Sequence, residues 1–211
     1  MKNILCFGDS NTWGYNPKTG ERFPEGVRWT SILQNRLGKR NVTIIEEGLC
    51  GRTTVYEDEY RPNRKGIDSI RSIFEKNESI DMVIFMLGTN DCKTFNHSSA
   101  EKIAHGVDQC LDIILEYVLA NQVLLISPIH LGENVWKPEY DPEFDQNSVL
   151  VSKGLKQAYL RVVHKRGVRF LAASDYVSPN ADDQEHLDSE GHRILAELLL
   201  HHISFMSRKC V

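Results

Sequence analysis

Four short apolar runs, separated by segments with helical patterns, restrict the fold of this 211-residue chain more than any other feature. The runs are Ile4–Phe7, Val42–Ile45, Met82–Leu87 and Val123–Ile126, and a weaker fifth run is Val168–Leu171. Continuous apolar runs of this length are typical of strands that are buried on both faces of a sheet. The sequence therefore predicts a central parallel sheet of about five strands.

The segments between the runs carry helical patterns. The clearest has apolar residues at helical spacing from Ile103 to Val118 and begins after Ser99, a residue type that favours a helix start. Another pattern extends from Ile194 to Ile203. Strands that alternate with helices imply right-handed crossovers, which place helices on both faces of the sheet. We predict a single α/β domain over residues 1–211, with a flavodoxin-like three-layer α/β/α architecture.

Composition and charge exclude several classes of partner. Hydrophobic residues make up 41% of the chain and charged residues 26%, as in ordinary globular proteins. The formal net charge of -4 gives no electrostatic reason to expect a nucleic acid or an anionic membrane as a partner. No apolar run approaches the length that spans a bilayer. We therefore predict no nucleic-acid and no membrane partner.

The cysteines and the N-terminus indicate the compartment. The five cysteines are odd in number and include no C-x-x-C pair, which argues against a disulfide framework and against a thiolate zinc site. The segment Met1–Phe7 contains one lysine, and its apolar stretch is too short for a signal peptide. It is therefore interpreted as the first strand. These features favour a cytoplasmic protein.

One long segment, Ser127–Asn147, is rich in Pro, Glu and Asp and exceeds the length of a plain connection. Two interpretations stay open for it, a lid over a binding site and a contact within a homo-oligomer.

Polar residues follow the predicted strands, at the sheet edge where open α/β folds bind ligands. One such segment brings a serine, one a glycine-rich turn and one an asparagine, and an aspartate and a histidine precede the last helix. The four segments are Gly8–Thr12, Glu46–Thr54, Gly88–Asp91 and Asp183–His192. A serine nucleophile needs a base, the base needs an orienting partner, and the oxyanion needs donors. All these parts are present.

Each of these residues also has a purely structural interpretation. Ser10 can cap a helix, Gly51 can serve a turn that requires positive φ, and Asn90 suits an Asx-turn. His186 can be a structural histidine. Taken singly, each structural interpretation is favoured. Because the four segments are predicted to meet at one edge of the sheet, the catalytic interpretation of the set is the stronger one.

The ordered segments resemble those of the SGNH hydrolases, also called the GDSL esterase/lipase family, from the first strand to the last helix. Phe7-Gly8-Asp9-Ser10 is similar to the block with the nucleophile, and Asp183-x-x-His186 matches the final D-x-x-H. Gly51 and Gly88-Thr89-Asn90-Asp91 are similar to the blocks that supply the other oxyanion donors. Within the family, the chain looks most like the small arylesterase/acyltransferase branch.

The resemblance implies a mechanism and its residues. Ser10 is expected to be the nucleophile, His186 the base and Asp183 the group that orients the base. The oxyanion hole is expected to consist of the backbone N–H groups of Ser10 and Gly51 and the side-chain amide of Asn90. No cofactor and no metal is implied, and the expected partner is a small ester.

The substrate pocket is less closely defined by the sequence. Trp13 and Arg52 are candidates for lining it. The branch, together with the bulky Trp13, Trp29 and Trp136, predicts short acyl groups, with transfer to alcohols as well as to water.

Several alternatives stay open. Family members often have Asp-Gly-Ile-His in the last block, whereas Gln184 and Glu185 stand here, and Asp182 is a second candidate for the orienting carboxylate. A carbohydrate acetylesterase would use the same triad. A metal-dependent hydrolase would use Asp183, His186, Asp188 and His192, although their spacing is unlike known zinc motifs. A non-catalytic flavodoxin-like binding module is the last alternative, because a fold does not determine a function.

Overall fold

The computed structural model describes residues 2–38, 41–58, 60–77 and 79–207, with only the backbone described for 204–207. Five parallel strands form one sheet in the order β2-β1-β3-β4-β5. They are β1 Lys2–Gly8, β2 Val42–Gly48, β3 Met82–Met86, β4 Val123–Ser127 and β5 Arg169–Ala172. The predicted α/β fold with about five parallel strands is confirmed.

Within the described residues, six α-helices connect and cover the strands. They are α1 Ser10–Trp13, α2 Trp29–Leu37, α3 Gly66–Lys76, α4 Ala100–Ile114, α5 Gln146–Arg166 and α6 Ser189–Ser207. The predicted helix after Ser99 corresponds to α4, and the Ser99 side chain caps it by accepting from the Lys102 amide at 3.3 Å. The predicted C-terminal helix corresponds to α6.

Two hydrophobic clusters lie on opposite faces of the sheet. Along β1, Leu5 and Phe7 belong to the cluster under α3, α4 and α5, whereas Ile4 and Cys6 belong to the cluster under α2 and α6. Successive side chains of a strand point to opposite faces, so an uninterrupted apolar run buries both faces at once. The three-layer arrangement follows from this alternation.

The long acidic segment is irregular over 128–145, between β4 and α5. Four of its apolar side chains are buried in the core, namely Ile129, Leu131, Val135 and Phe144. Its Gly132 amide donates to the carbonyl oxygen of Gln184 at 2.7 Å. The segment is therefore anchored to the body of the domain and to the loop that precedes His186.

The cysteines Cys6, Cys50, Cys92 and Cys110 are free thiols, and Cys210 lies outside the described residues. Among the helices of the described part of the chain, none combines the length and the apolar character required to cross a membrane.

Candidate active site

Ser10 lies two residues after the end of β1 and is the first residue of α1. The residue that caps this helix is Asp9, whose Oδ1 accepts from the Asn11 amide at 3.0 Å. Gly8 is required for the tight turn, since a Cβ there would lie 2.1 Å from Thr12 Oγ1. Because Asp9 caps the helix, the Ser10 hydroxyl is left for another partner.

That partner is His186, whose Nε2 lies 2.8 Å from Ser10 Oγ. On the other side of the ring, Nδ1 lies 2.6 Å from Asp183 Oδ2. An ionised carboxylate only accepts hydrogen bonds, so it favours the tautomer with the proton on Nδ1 and a free lone pair on Nε2. The three side chains form a continuous hydrogen-bonded series that ends at the serine.

The Asp183 carboxylate is fixed by its second oxygen. Oδ1 accepts from the backbone amides of Glu185 and His186, both at 2.9 Å, and from Asn180 Nδ2 at 2.8 Å. Burial raises the pKa of Asp183, but the hydrogen bonds and the charge of His186 outweigh it and lower the pKa to about 2. Asp183 is therefore ionised and oriented before any ligand binds.

The two other carboxylates near His186 in the sequence have different positions. The Asp182 side chain is 48% exposed, with Oδ2 3.9 Å from Lys18 Nζ. Asp188 Oδ1 accepts from the Gly191 amide at 2.8 Å, at the start of α6. Of the three aspartates, Asp183 is the one that contacts the imidazole.

The loop after β2, which carries Gly51, and the loop after β3, which carries Asn90, are hydrogen-bonded to each other. Gly51 has a φ of +81°, so its structural interpretation as a turn residue also holds. Asn90 is buried and donates one amide hydrogen from Nδ2 to the carbonyl oxygen of Arg52 at 3.1 Å. An amide nitrogen carries two hydrogens, so one remains for a ligand. The loops are further joined by Asp91, which accepts from the Thr54 amide at 2.9 Å and from the Thr54 hydroxyl.

The two residues expected to line the pocket have other contacts. Arg52 is buried, and its guanidinium donates to the carbonyl oxygens of Gly8, at 3.0 Å, and of Glu47. It therefore supports the ends of two strands, and its guanidinium is committed to protein carbonyls. Trp13 is half-buried, with the Arg22 guanidinium 5.6 Å from its ring centroid.

Of the bulky tryptophans, Trp29 does not line the site. Trp29 is fully buried in the cluster under α2 and α6, and its Nε1 donates to the carbonyl oxygen of Asn11 at 3.0 Å. Trp136 lies beside a groove lined by residues of the 128–145 segment and of α5. The expectation that Trp29 narrows the pocket is wrong, because the ring packs in the interior.

The residues of the metal alternative do not converge. His192 is fully buried, and its Nδ1 accepts from the Trp29 amide at 3.4 Å. Burial lowers the pKa of His192 to about 3, so it is a neutral core histidine. Within the described ranges, no group of three or more His, Cys, Asp and Glu side chains has a geometry that could hold a metal ion.

Two further side chains lie against His186 and were not singled out from the sequence. The Tyr15 ring centroid lies 4.4 Å from that of the imidazole. Glu185 is buried, with Oε1 3.8 Å from His186 Nε2. In the sequence, Tyr15 lies close to Ser10 and Glu185 lies next to His186. That proximity does not predict the direction in which either side chain points.

The comparisons with known proteins agree with this geometry. The model of the GDSL-like lipase/acylhydrolase family matches residues 6–201. No curated protein matched the sequence. A carbohydrate acetylesterase from Sinorhizobium meliloti is 31% identical, with a TM-score of 0.87 and coverage of 98% of this chain and 100% of that chain.

An aryl esterase from M. smegmatis is also 31% identical, with a TM-score of 0.86 and coverage of 97% of this chain and 99% of the other. A lipase/acylhydrolase from Enterococcus faecalis, 20% identical over 96% of this chain and 95% of its own, shares the fold with a TM-score of 0.69. The family match spans the nucleophile segment, both loops and the histidine segment. The chain therefore belongs to the GDSL-like lipase/acylhydrolase family, the SGNH hydrolases, and is a carboxylic ester hydrolase.

Proposed function

We propose that the chain is a serine esterase for esters of short acyl groups, with Ser10 as nucleophile, His186 as general base and Asp183 as its orienting carboxylate. The observation that carries the proposal is the hydrogen-bonded series from Asp183 to His186 to Ser10, with distances of 2.6 and 2.8 Å. A nucleophile in contact with a base that is itself oriented by a third group is the arrangement that activates a serine.

In the first half of the reaction, Ser10 Oγ attacks the ester carbonyl carbon while its proton passes to His186 Nε2. Asp183 stabilises the imidazolium that forms. As the tetrahedral intermediate collapses, the bond to the leaving alcohol breaks and Nε2 delivers the proton to that alcohol. The acyl group then remains on Ser10.

The negative charge of the tetrahedral intermediate needs donors that are already in position. We assign this role to the backbone N–H groups of Ser10 and Gly51 and to the second hydrogen of the Asn90 amide. The hydrogen bond from Asn90 to the Arg52 carbonyl supports this assignment, because it fixes the amide plane in advance. A preorganised donor costs no reorganisation when the charge develops.

In the second half, His186 Nε2 takes a proton from water as the water oxygen attacks the acyl carbon. The bond from that carbon to Ser10 Oγ then breaks, Nε2 returns the proton to Oγ, and the carboxylic acid leaves. An alcohol that occupies the same position accepts the acyl group by the same steps, so transfer to alcohols is part of the proposal. No cofactor takes part in either half.

The preference for short acyl groups is supported by the relatives. One is described as an aryl esterase and another as a carbohydrate acetylesterase, and the latter acts on acetyl groups by its name. Because both share the fold over nearly the whole chain, we extend a short-acyl preference to this protein.

Hydrolysis of p-nitrophenyl esters of increasing acyl length tests the proposal. We expect acetate and butyrate esters to react much faster than the octanoate ester, and Ser10→Ala to lose nearly all activity on each. Ser189→Ala, at the solvent-facing start of α6, serves as the control. Faster turnover of octanoate would contradict the acyl preference, and activity retained in Ser10→Ala would contradict the serine mechanism.

A further inference from the structure

Glu185 is a largely buried carboxylate, with its side chain 9% exposed, and its oxygens accept no hydrogen bond from the described residues. Other buried carboxylates differ in this respect, since Asp91 accepts from Thr54, and Asp58 accepts from two amides and from Arg61. The Glu185 oxygens are not among the fully enclosed unpaired polar atoms, so they keep some contact with solvent. Losing that contact without gaining a donor would be costly.

The Glu185 carboxylate lies beside the nitrogen atom of His186 that transfers protons in the proposed reaction. Glu185 Oε1 lies 3.8 Å from His186 Nε2, on the side of the ring that also contacts Ser10 Oγ. Nε2 is the atom that protonates the leaving alcohol, so the alcohol oxygen must come within about 3 Å of it. A group beside Nε2 therefore faces the alcohol portion of the ester.

We propose that Glu185 accepts a hydrogen bond from a hydroxyl group on the alcohol portion of the ester, on the carbon next to the esterified carbon. The substrate class is then the short-chain monoesters of vicinal diols and polyols, including sugars. This inference rests on the proposed function, because it needs His186 to protonate the leaving alcohol.

A neutral hydroxyl fits the site better than a cationic group. His186 becomes positively charged during acylation. Burial raises the pKa of Glu185, while the positive charges of His186 and Lys93 act in the opposite direction and favour its ionised form. A cation on the alcohol would lie close to the imidazolium and would destabilise the transition state by like-charge repulsion. A hydroxyl supplies the missing donor without that repulsion.

The carboxylate also discriminates against esters that lack the hydroxyl. With a plain alkyl ester bound, Glu185 would lose its contact with water and gain no donor. A site built to bind a substrate hydroxyl rejects the analogue without it for this reason. Glu185 is thus a specificity-determining residue in this proposal.

Two acetate esters of equal size provide the test. In 2-hydroxyethyl acetate a hydroxyl stands where propyl acetate has a methyl group, so the ratio of their kcat/KM values reports the hydroxyl alone. Both are measured by acetate release in the same protein sample, which cancels any loss of folded enzyme. We expect the ratio to be about 10 or more in the unmodified protein, since a hydrogen bond to a charged group has about this effect.

The variants Glu185→Leu and Glu185→Gln test the residue. The ratio should fall to about 1 in Glu185→Leu and to an intermediate value in Glu185→Gln, whose amide oxygen still accepts but carries no charge. Glu190→Gln, an exposed glutamate paired with Arg193 on α6, should leave the ratio unchanged.

Three results would overturn the inference. The first is a ratio near 1 in the unmodified protein, and the second is an unchanged ratio in Glu185→Leu. The third is faster turnover of acetylcholine, the acetate ester of choline, than of 2-hydroxyethyl acetate, which would indicate a cation subsite. Failure of the proposed function has a different signature. In that case p-nitrophenyl acetate would also resist hydrolysis, or its hydrolysis would not depend on Ser10.

Discussion

Asn11 Oδ1 accepts a hydrogen bond from the Leu187 amide at 2.9 Å, so the residue after the proposed nucleophile is bonded to the residue after the proposed base. The two segments are far apart in sequence, and this contact joins them beside the contact between Ser10 and His186. Asn11 is buried, so the hydrogen bond is shielded from water. It holds the first and last loops at a fixed separation.

The variant Asn11→Ala should therefore damage both the fold and the site. The Leu187 amide would lose its acceptor in a buried position, which costs about 1–3 kcal/mol in the free energy of unfolding. We also expect kcat/KM to fall in the protein that remains folded, because Ser10 and His186 lose a common anchor. Urea denaturation and ester hydrolysis measure the two effects.

Asn35→Ala, at an exposed position of α2, is the matched control and should change neither quantity. If Asn11→Ala lowered the free energy of unfolding but left kcat/KM intact, the link between the loops would be structural only.

The orienting carboxylate is tested by comparing three aspartates. Asp183→Asn presents an amide to His186 Nδ1 and favours the wrong tautomer, a change that lowered kcat by about 10⁴ in a well-studied triad. We expect a large loss here, and little change in Asp182→Asn, whose carboxylate points to Lys18. Asp188→Asn should mainly affect stability, through the start of α6. Steady-state kinetics that singled out Asp182→Asn as the crippling change would contradict the assignment.

Asn90→Ala should lower kcat by roughly 10²–10³ with a smaller effect on KM, as expected when one oxyanion donor is removed. The same side chain also donates to the Arg52 carbonyl, so thermal stability must be measured alongside. Asn96→Ala is the control, because Asn96 donates to the Asn90 carbonyl in the same loop. An equal kcat loss in both variants would make Asn90 a structural residue of the loop.

The pH profile should reflect the two carboxylates beside His186. Burial lowers the pKa of His186, but the charges of Glu185 and Asp183 and the hydrogen bond that His186 donates to Asp183 raise it, and the net shift is upward. The base must be unprotonated, so kcat/KM falls as the pH falls through this pKa. Glu185→Gln removes one negative charge and lowers the pKa.

The acid limb of the Glu185→Gln profile should therefore lie at lower pH than that of the unmodified protein. An aryl acetate, which has no hydroxyl for Glu185, is the suitable substrate. Glu190→Gln should leave the limb in place. An unmoved limb in Glu185→Gln, or a shift to higher pH, would show that the Glu185 charge does not act on His186.

Much of the fold was predictable because a parallel strand that is buried on both faces has apolar residues at consecutive positions, which form one continuous apolar run. Helix α5 was not predicted from the sequence, because its buried face includes Ser148 and Ser152, polar residues that interrupt the apolar pattern. The short separation of Asp183 and His186 made their pairing predictable, because three residues form one tight turn.

Side-chain directions were not predictable in the same way. Arg52 points inward because the strand ends offer two carbonyl acceptors, and no sequence pattern encodes them. The position of Glu185 depends on the loop before His186, where Gln184 has a φ of +64°, unusual for a residue other than glycine. Such a conformation is set by tertiary contacts, here including the hydrogen bond from Gly132.

The most direct test of the account is the site of the covalent intermediate. A fluorophosphonate probe reacts with an activated serine and leaves a stable adduct, which peptide mass spectrometry locates. We predict a single adduct, on Ser10, that is absent in Ser10→Ala and slowed in His186→Ala. An adduct on a different serine, such as the buried Ser127 at the end of β4, or no adduct on a protein that hydrolyses esters, would contradict the assignment of Ser10 as nucleophile.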